Sequence, residues 1–216
     1  MKSITIASAL RIIHNCAIKY KNNLSHKNIL FITQQNGIST FFEAVFLPRN
    51  YLHLTGIRTE LNSVDFYNMA VRDRLKEQDI LFAADGTTDL KLCALPTLMR
   101  IHQTARMVGN YDYSKSLLIT EKIAGTVAAA IGFRKKNECD NSLFIPNTAL
   151  SIDMRQIIQK PIQRIVAMFI KKQQDEFYHE LTYLAKGLTL NDELIRPVLK
   201  ARVDMNKLSA SFTIPQ

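Results

Sequence analysis

The chain has 216 residues, 47% of them hydrophobic and 22% charged, with only seven Gly and six Pro. That length suits one ordinary domain, or one with an appended subdomain, and the composition excludes collagen-like, low-complexity and disordered chains. Lys and Arg number 28 against 19 Asp and Glu, a net charge of +9, and such an excess favours contact with a polyanion (RNA, DNA or a lipid surface) through counterion release.

In chain order, Ile6, Leu10, Ile13, Ala17 and Tyr20 recur at spacings of three and four, which predicts a first helix over 3–22. It is basic: no acidic residue precedes Glu43, while Lys2, Arg11, Lys19, Lys21 and Lys27 do. ILFIT at 29–33, TFFEAVF at 40–46 and YLHLT at 51–55 read as strands, separated by a hairpin loop at 34–37 and a turn at Pro48-Arg49-Asn50. Asn62 or Ser63 can cap a helix carrying Tyr67, Val71 and Leu75 on one face. Thr87 or Thr88 can cap another that runs through Leu95, Leu98, Met99 and Ala105, kinked or split by Pro96. Short strands follow at 116–120, 125–133 and 142–145, with Pro146-Asn147-Thr148 as a turn and a brief helix over 152–159. QRIVAMFI at 163–170 and FYHELTYL at 177–184 flank the polar KKQQDE, a clear hairpin, and a short helix near 191–202 closes the chain. Basic residues gather again at Arg155, Lys160, Arg164, Lys171 and Lys172. Strands and helices in runs, without strict alternation, predict an α+β fold around a mainly antiparallel sheet.

Several chemistries lack their residues. There is no GxGxxG or GxxxxGK[ST], no GxSxG, and no repeat of 20 to 50 residues. Three Cys, at 16, 93 and 139, without CxxC spacing argue against a disulfide framework or zinc knuckle and for a reducing cytoplasm. The five His show neither HExxH nor HxH, so no metal or other cofactor is expected. The apolar N-terminal run ends at Leu10 and predicts no secretion signal. The longest weakly polar run, Ile123 to Phe133, is too short for the about 20 residues of a bilayer crossing.

One titratable residue stands out. If YLHLT is a strand, alternation puts Tyr51, His53 and Thr55 on one face, and His is the side chain suited to proton transfer at neutral pH. In the late hairpin, Phe177, His179, Leu181 and Tyr183 would share a face opposite Tyr178, Glu180 and Thr182. A strand His hydrogen-bonded to a neighbour is the competing explanation.

The words YLHLTGI (51–57), DGTTDLKL (85–92), ARMVGNYD (105–112), FIPNTALSIDMR (144–155), RIVAMFIKK (164–172) and ELTYLAKG (180–187) resemble the signature blocks of a phage- and mobile-element-associated nuclease family. That family lies within the barnase, EndoU, colicin E5/D and RelE-like (BECR) group. The resemblance covers about residues 27–187, between a basic amphipathic helix (1–26) and a short helix with a tail (188–216). It implies an antiparallel sheet on helices and a toxin-like ribonuclease that needs no metal, using the 2'-hydroxyl as nucleophile to leave a 2',3'-cyclic phosphate. Carried onto matching positions, the catalytic candidates are His53, Thr55, Arg106, Arg164, Thr182 and Lys186, with Lys122, Arg155 and Lys171 as substrate contacts. The partners it implies are tRNA or mRNA and an antitoxin or immunity protein. An inactive nucleic-acid- or protein-binding module of the same fold, or a phage-derived structural protein, would share the charge without the chemistry.

Overall fold

A computed structural model describes residues 3–115, 118–136, 143–190, 193 and 195–210. Among them are six α-helices: α1 (Ile6–Asn23), α2 (Tyr51–Thr55), α3 (Ser63–Val71), α4 (Thr87–Leu98), α5 (Ile101–Thr104) and α6 (Arg196–Arg202). Nine strands complete the fold: β1 (Lys27–Gln35), β2 (Ile38–Phe46), β3 (Met107–Asn110), β4 (Lys122–Gly125), β5 (Ala130–Lys135), β6 (Phe144–Leu150), β7 (Gln163–Lys172), β8 (Glu180–Leu184) and β9 (Ser209–Ala210).

The strands form one sheet in the order β1-β2-β6-β5-β4-β3-β7-β8-β9, and β1 also pairs with β7, so the ribbon returns on itself. All pairings are antiparallel except β2–β6 and β8–β9, which bears out the expected α+β architecture. Asn36 and Gly37, at φ 49 and 76, turn β1 into β2; two successive positive φ values match the right-handed twist of a hairpin. β1 is buried on both faces. Ile29 and Phe31 join the core shared with α1 to α5, while Leu30 and Ile32 join a second core closed by α6. The late hairpin pairs as expected, with Ala167 opposite Leu184 and Ile170 opposite Glu180, but its second strand starts at Glu180 and not at Phe177, because Tyr178 bridges Val203 instead.

α1, capped by the Thr5 hydroxyl, starts later than expected and leaves Ile6 exposed; the rest of its stripe packs inward, with Ile13, Ala17 and Tyr20 fully buried. Asn62 caps α3 through Val64 and Asp65 N–H, and Leu75 lies beyond that helix. α4 begins after Gly86, so Thr87 and Thr88 are its first residues and not its caps. Pro96 lies inside α4, which ends two residues later; α5 then starts at Ile101.

Other local expectations need correction. Residues 118–120 are not strand, and the expected strand at 125–133 is two, because Thr126 turns the chain by accepting from Ala128 and Ala129 N–H. Pro146-Asn147-Thr148 is no turn but part of β6: a register shift beside Gly132 and Phe133 absorbs Asn147, whose amide donates to the Ile119 carbonyl. The helix expected at 152–159 is a single 3₁₀ turn, Met154–Gln156, capped by Asp153. Ser116, Leu117, Ser142 and Cys139 lie outside the described residues, as does part of the expected tail helix. No described helix is long and apolar enough to cross a membrane.

Candidate active site

The largest correction concerns His53. YLHLT is α2, a helix of five residues, and not a strand. A 3₁₀ turn over Pro48–Asn50 leads into it, and Gly56, at φ +70, ends it in the left-handed conformation that Gly adopts without penalty. Tyr51, Leu54 and Thr55 form its buried face, at the i, i+3, i+4 spacing of a helix. Tyr51 anchors the segment: its ring packs between Tyr20 and Tyr67, and its hydroxyl donates to the Ile13 carbonyl at 2.6 Å. His53 lies on the exposed face, away from that anchor.

α4 is knitted to α2. The Thr88 hydroxyl donates to the Gly56 carbonyl at 2.7 Å and accepts from Ala83 N–H at 2.9 Å. Lys91, one turn further on, donates to the His53 carbonyl at 3.2 Å. Its stem crosses Gly56 so closely that a Cβ there would stand 2.7 Å from Lys91 Cδ. The words YLHLTGI and DGTTDLKL are therefore one physical unit. Arg134, exposed on β5, adds a further positive charge felt by His53.

Electrostatics follow from this packing. Partial desolvation, then the charges of Arg134 and Lys91, hold the His53 imidazole below its usual 6.5, so it is neutral at physiological pH. Burial lowers the Lys91 ammonium, against a raising influence from Asp85. Asp85 is held low chiefly by the hydroxyl and N–H of Thr87, with Arg58 contributing. A neutral, exposed imidazole flanked by two cations can accept a proton while the cations stabilise an adjacent anion.

The other expected residues scatter. Thr55 is fully buried, donating to the Leu52 carbonyl and accepting from Ile57 N–H, a bonding pattern that finishes α2. Thr182 is buried and donates to the carbonyls of His102 and Met168. Arg106 donates to the Gln103 and Ala105 carbonyls and lies 4.0 Å over the Tyr183 ring. Ile165 N–H donates to the Arg106 carbonyl, and Ala185 N–H to that of Val166, so the backbones of Arg106, Arg164 and Lys186 lie around the β3–β7–β8 junction, and all three residues are exposed. Arg155 is committed to Asp153 through Nε and Nη2. Lys171 donates to the Asp175 and Glu176 carbonyls and holds the hairpin loop. Lys122 donates to Asn110 Oδ1 at 3.1 Å and lies within 6 Å of the Phe42 and Phe144 ring centres.

Sequence reasoning missed Lys91 and Arg134. Lys91 had a signal, lying inside DGTTDLKL in a predicted helix, but nothing local ties it to His53, 38 residues away. Nor did it pair Asp175 with His179, four residues apart, whose carboxylate Oδ2 and imidazole Nε2 lie 3.8 Å from each other in the loop before β8. Among the described residues no three His, Cys, Asp or Glu side chains gather to hold a metal ion.

In comparisons with known proteins, the family model described as phage-Barnase-EndoU-ColicinE5/D-RelE like nuclease4 matches residues 12–187. That span takes in α1 from its second turn, both helices of the candidate site, and the sheet through β8. No curated protein and no solved structure gives a match.

Proposed function

The chain belongs to that family of BECR-type nucleases, and from this premise we propose that it is an endoribonuclease that cuts RNA without a metal, with His53 as its general base. The observation that carries the reading is the neutral, exposed His53 beside Lys91 and Arg134. In this reaction His53 takes the proton of the ribose 2'-hydroxyl as that oxygen bonds to phosphorus. The bond from phosphorus to the 5'-oxygen breaks, and the departing oxygen takes a proton from water. Lys91 and Arg134 stabilise the charge on the non-bridging oxygens as the phosphorus becomes five-coordinate. The products are a 2',3'-cyclic phosphate and a free 5'-hydroxyl, and exposed His53 returns its proton to solvent. Arg106, Arg164 and Lys186 supply a second basic surface along which the strand's phosphates can run.

Incubation with total RNA in excess EDTA, with detection of 2',3'-cyclic phosphate ends and a DNA control, tests this. Cleavage of RNA alone is expected. Cutting that needs added metal, that spares no DNA, or that leaves 5'-phosphate ends would overturn it.

A further inference from the structure

A second feature lies where β3 ends and β4 begins. There a cavity of about 350 Å³ opens among Tyr111, Tyr113, Glu121, Lys122, Lys135 and Phe144. That volume is at the low end of small-ligand sites, too small for a folded partner.

Its walls carry two complementary chemistries. Tyr113 keeps 59% of its surface exposed, and its ring meets that of fully buried Tyr111 edge-on, 5.2 Å between centres. An exposed ring braced by a fixed one is a stacking platform for a planar partner. Opposite charges are unequal here, with two lysines to one carboxylate. The Glu121 carboxylate is itself engaged, accepting the Lys135 N–H at 2.8 Å. Lys122 is half-buried, fixed by Asn110 Oδ1 and packed towards the Phe42 and Phe144 rings. Burial and the Lys135 charge both push its ammonium down, with Glu121 opposing; an anion between the two lysines would relieve that repulsion.

We propose that this cavity binds one nucleotide unit, with its base stacked on Tyr113 and its phosphate held by Lys122 and Lys135. Gln159, also in the wall, carries a side-chain amide of the kind that hydrogen-bonds a base edge. The site is separate from His53. Arg134 and Lys135 are consecutive in β5, and consecutive strand residues point to opposite faces; Arg134 acts on His53 while Lys135 lines the cavity. The unit can arrive as a free mononucleotide or as part of a single strand.

Calorimetric titration of the His53→Ala chain tests the proposal, using adenosine 5'-monophosphate, ribose 5-phosphate and a five-nucleotide single-stranded RNA. The mononucleotide should bind more tightly than ribose 5-phosphate, because only it can stack. Tyr113→Ala should weaken its binding by about tenfold or more, and Lys135→Met should weaken all three ligands and reduce their salt dependence. If the oligonucleotide binds far more tightly and suffers the same loss in Tyr113→Ala, the unit comes from a strand; if the mononucleotide binds as well, it is a free ligand. Equal affinity for the mononucleotide and ribose 5-phosphate, indifference of both nucleotide ligands to Tyr113→Ala, or no binding at all would overturn it. Nothing in the titration requires cleavage, so it fails or succeeds apart from the role of His53.

Discussion

Replacing His53 with alanine separates chemistry from architecture, because the structure assigns the side chain to the exposed face of α2 while Tyr51, Leu54 and Thr55 do the packing. Truncation opens no core cavity. Alanine is the better helix former by up to about 0.7 kcal/mol, so the stability of the folded chain should change by less than about 1 kcal/mol. The rate should change far more: loss of a positioned proton-transfer group costs about 10² to 10⁴-fold, equivalent to roughly 3 to 5 kcal/mol in the barrier. The pH profile supplies a third readout. A general base works in its neutral form, so wild-type cleavage should rise as pH climbs through the His53 pKa, which desolvation, Arg134 and Lys91 hold below 6.5, and level off above it. The alanine variant should lose that acid limb. End-labelled RNA cleavage in EDTA across pH 4.5–8, beside thermal melts of both proteins, measures all three. A variant that melts like the wild type and cuts at the same rate with the same acid limb would refute the reasoning.

Other perturbations probe the surroundings. Gly56→Ala forces a side chain into φ +70 and against Lys91 Cδ; it should destabilise by more than about 1 kcal/mol and lower cleavage per folded molecule, read from melting and activity together. Thr182→Val removes a buried hydroxyl that serves the His102 and Met168 carbonyls and should cost about 1 to 3 kcal/mol in urea unfolding, with activity per folded molecule intact, the reverse of what a catalytic Thr182 would show. Buried His102 has its pKa lowered from 6.5 to about 4, first by desolvation and then by Lys27 and Arg100. The unfolded chain therefore binds this proton more readily, and its contribution is complete above pH 6.5 and lost as pH falls towards 4, by about 3 kcal/mol. His102→Gln should remove that share of the acid sensitivity, and equal losses in variant and wild type between pH 7 and 4.5 would contradict it. Retention of single-stranded RNA should fall steeply between 50 and 200 mM salt if several Lys and Arg contact phosphates, as a filter-binding series would show.

The pattern of residues by itself determined the elements whose local signals agree with one another. The three-and-four spacing of α1, Asn36-Gly37 between two apolar runs, and the polar loop between β7 and β8 each encode their structure within a few residues. The family words were equally legible, since they are strings and need no fold. Five residues such as YLHLT are ambiguous: alternation and an i, i+3, i+4 stripe both fit so short a span, and propensity cannot arbitrate. Tertiary structure decided, by burying Tyr51 between Tyr20 and Tyr67 and by ending the segment at Gly56. That decision turned His53 outward, left Thr55 in the interior, and brought Lys91 beneath the end of α2. Likewise Arg106 and Thr182, written in equally suggestive words, were fixed by a Tyr183 ring and by the carbonyls of His102 and Met168, which only the packing of α5 and β7 against β8 could deliver. A proton-transfer site is a matter of a few ångströms between residues far apart in the chain, and local sequence periodicity carries no information about that distance.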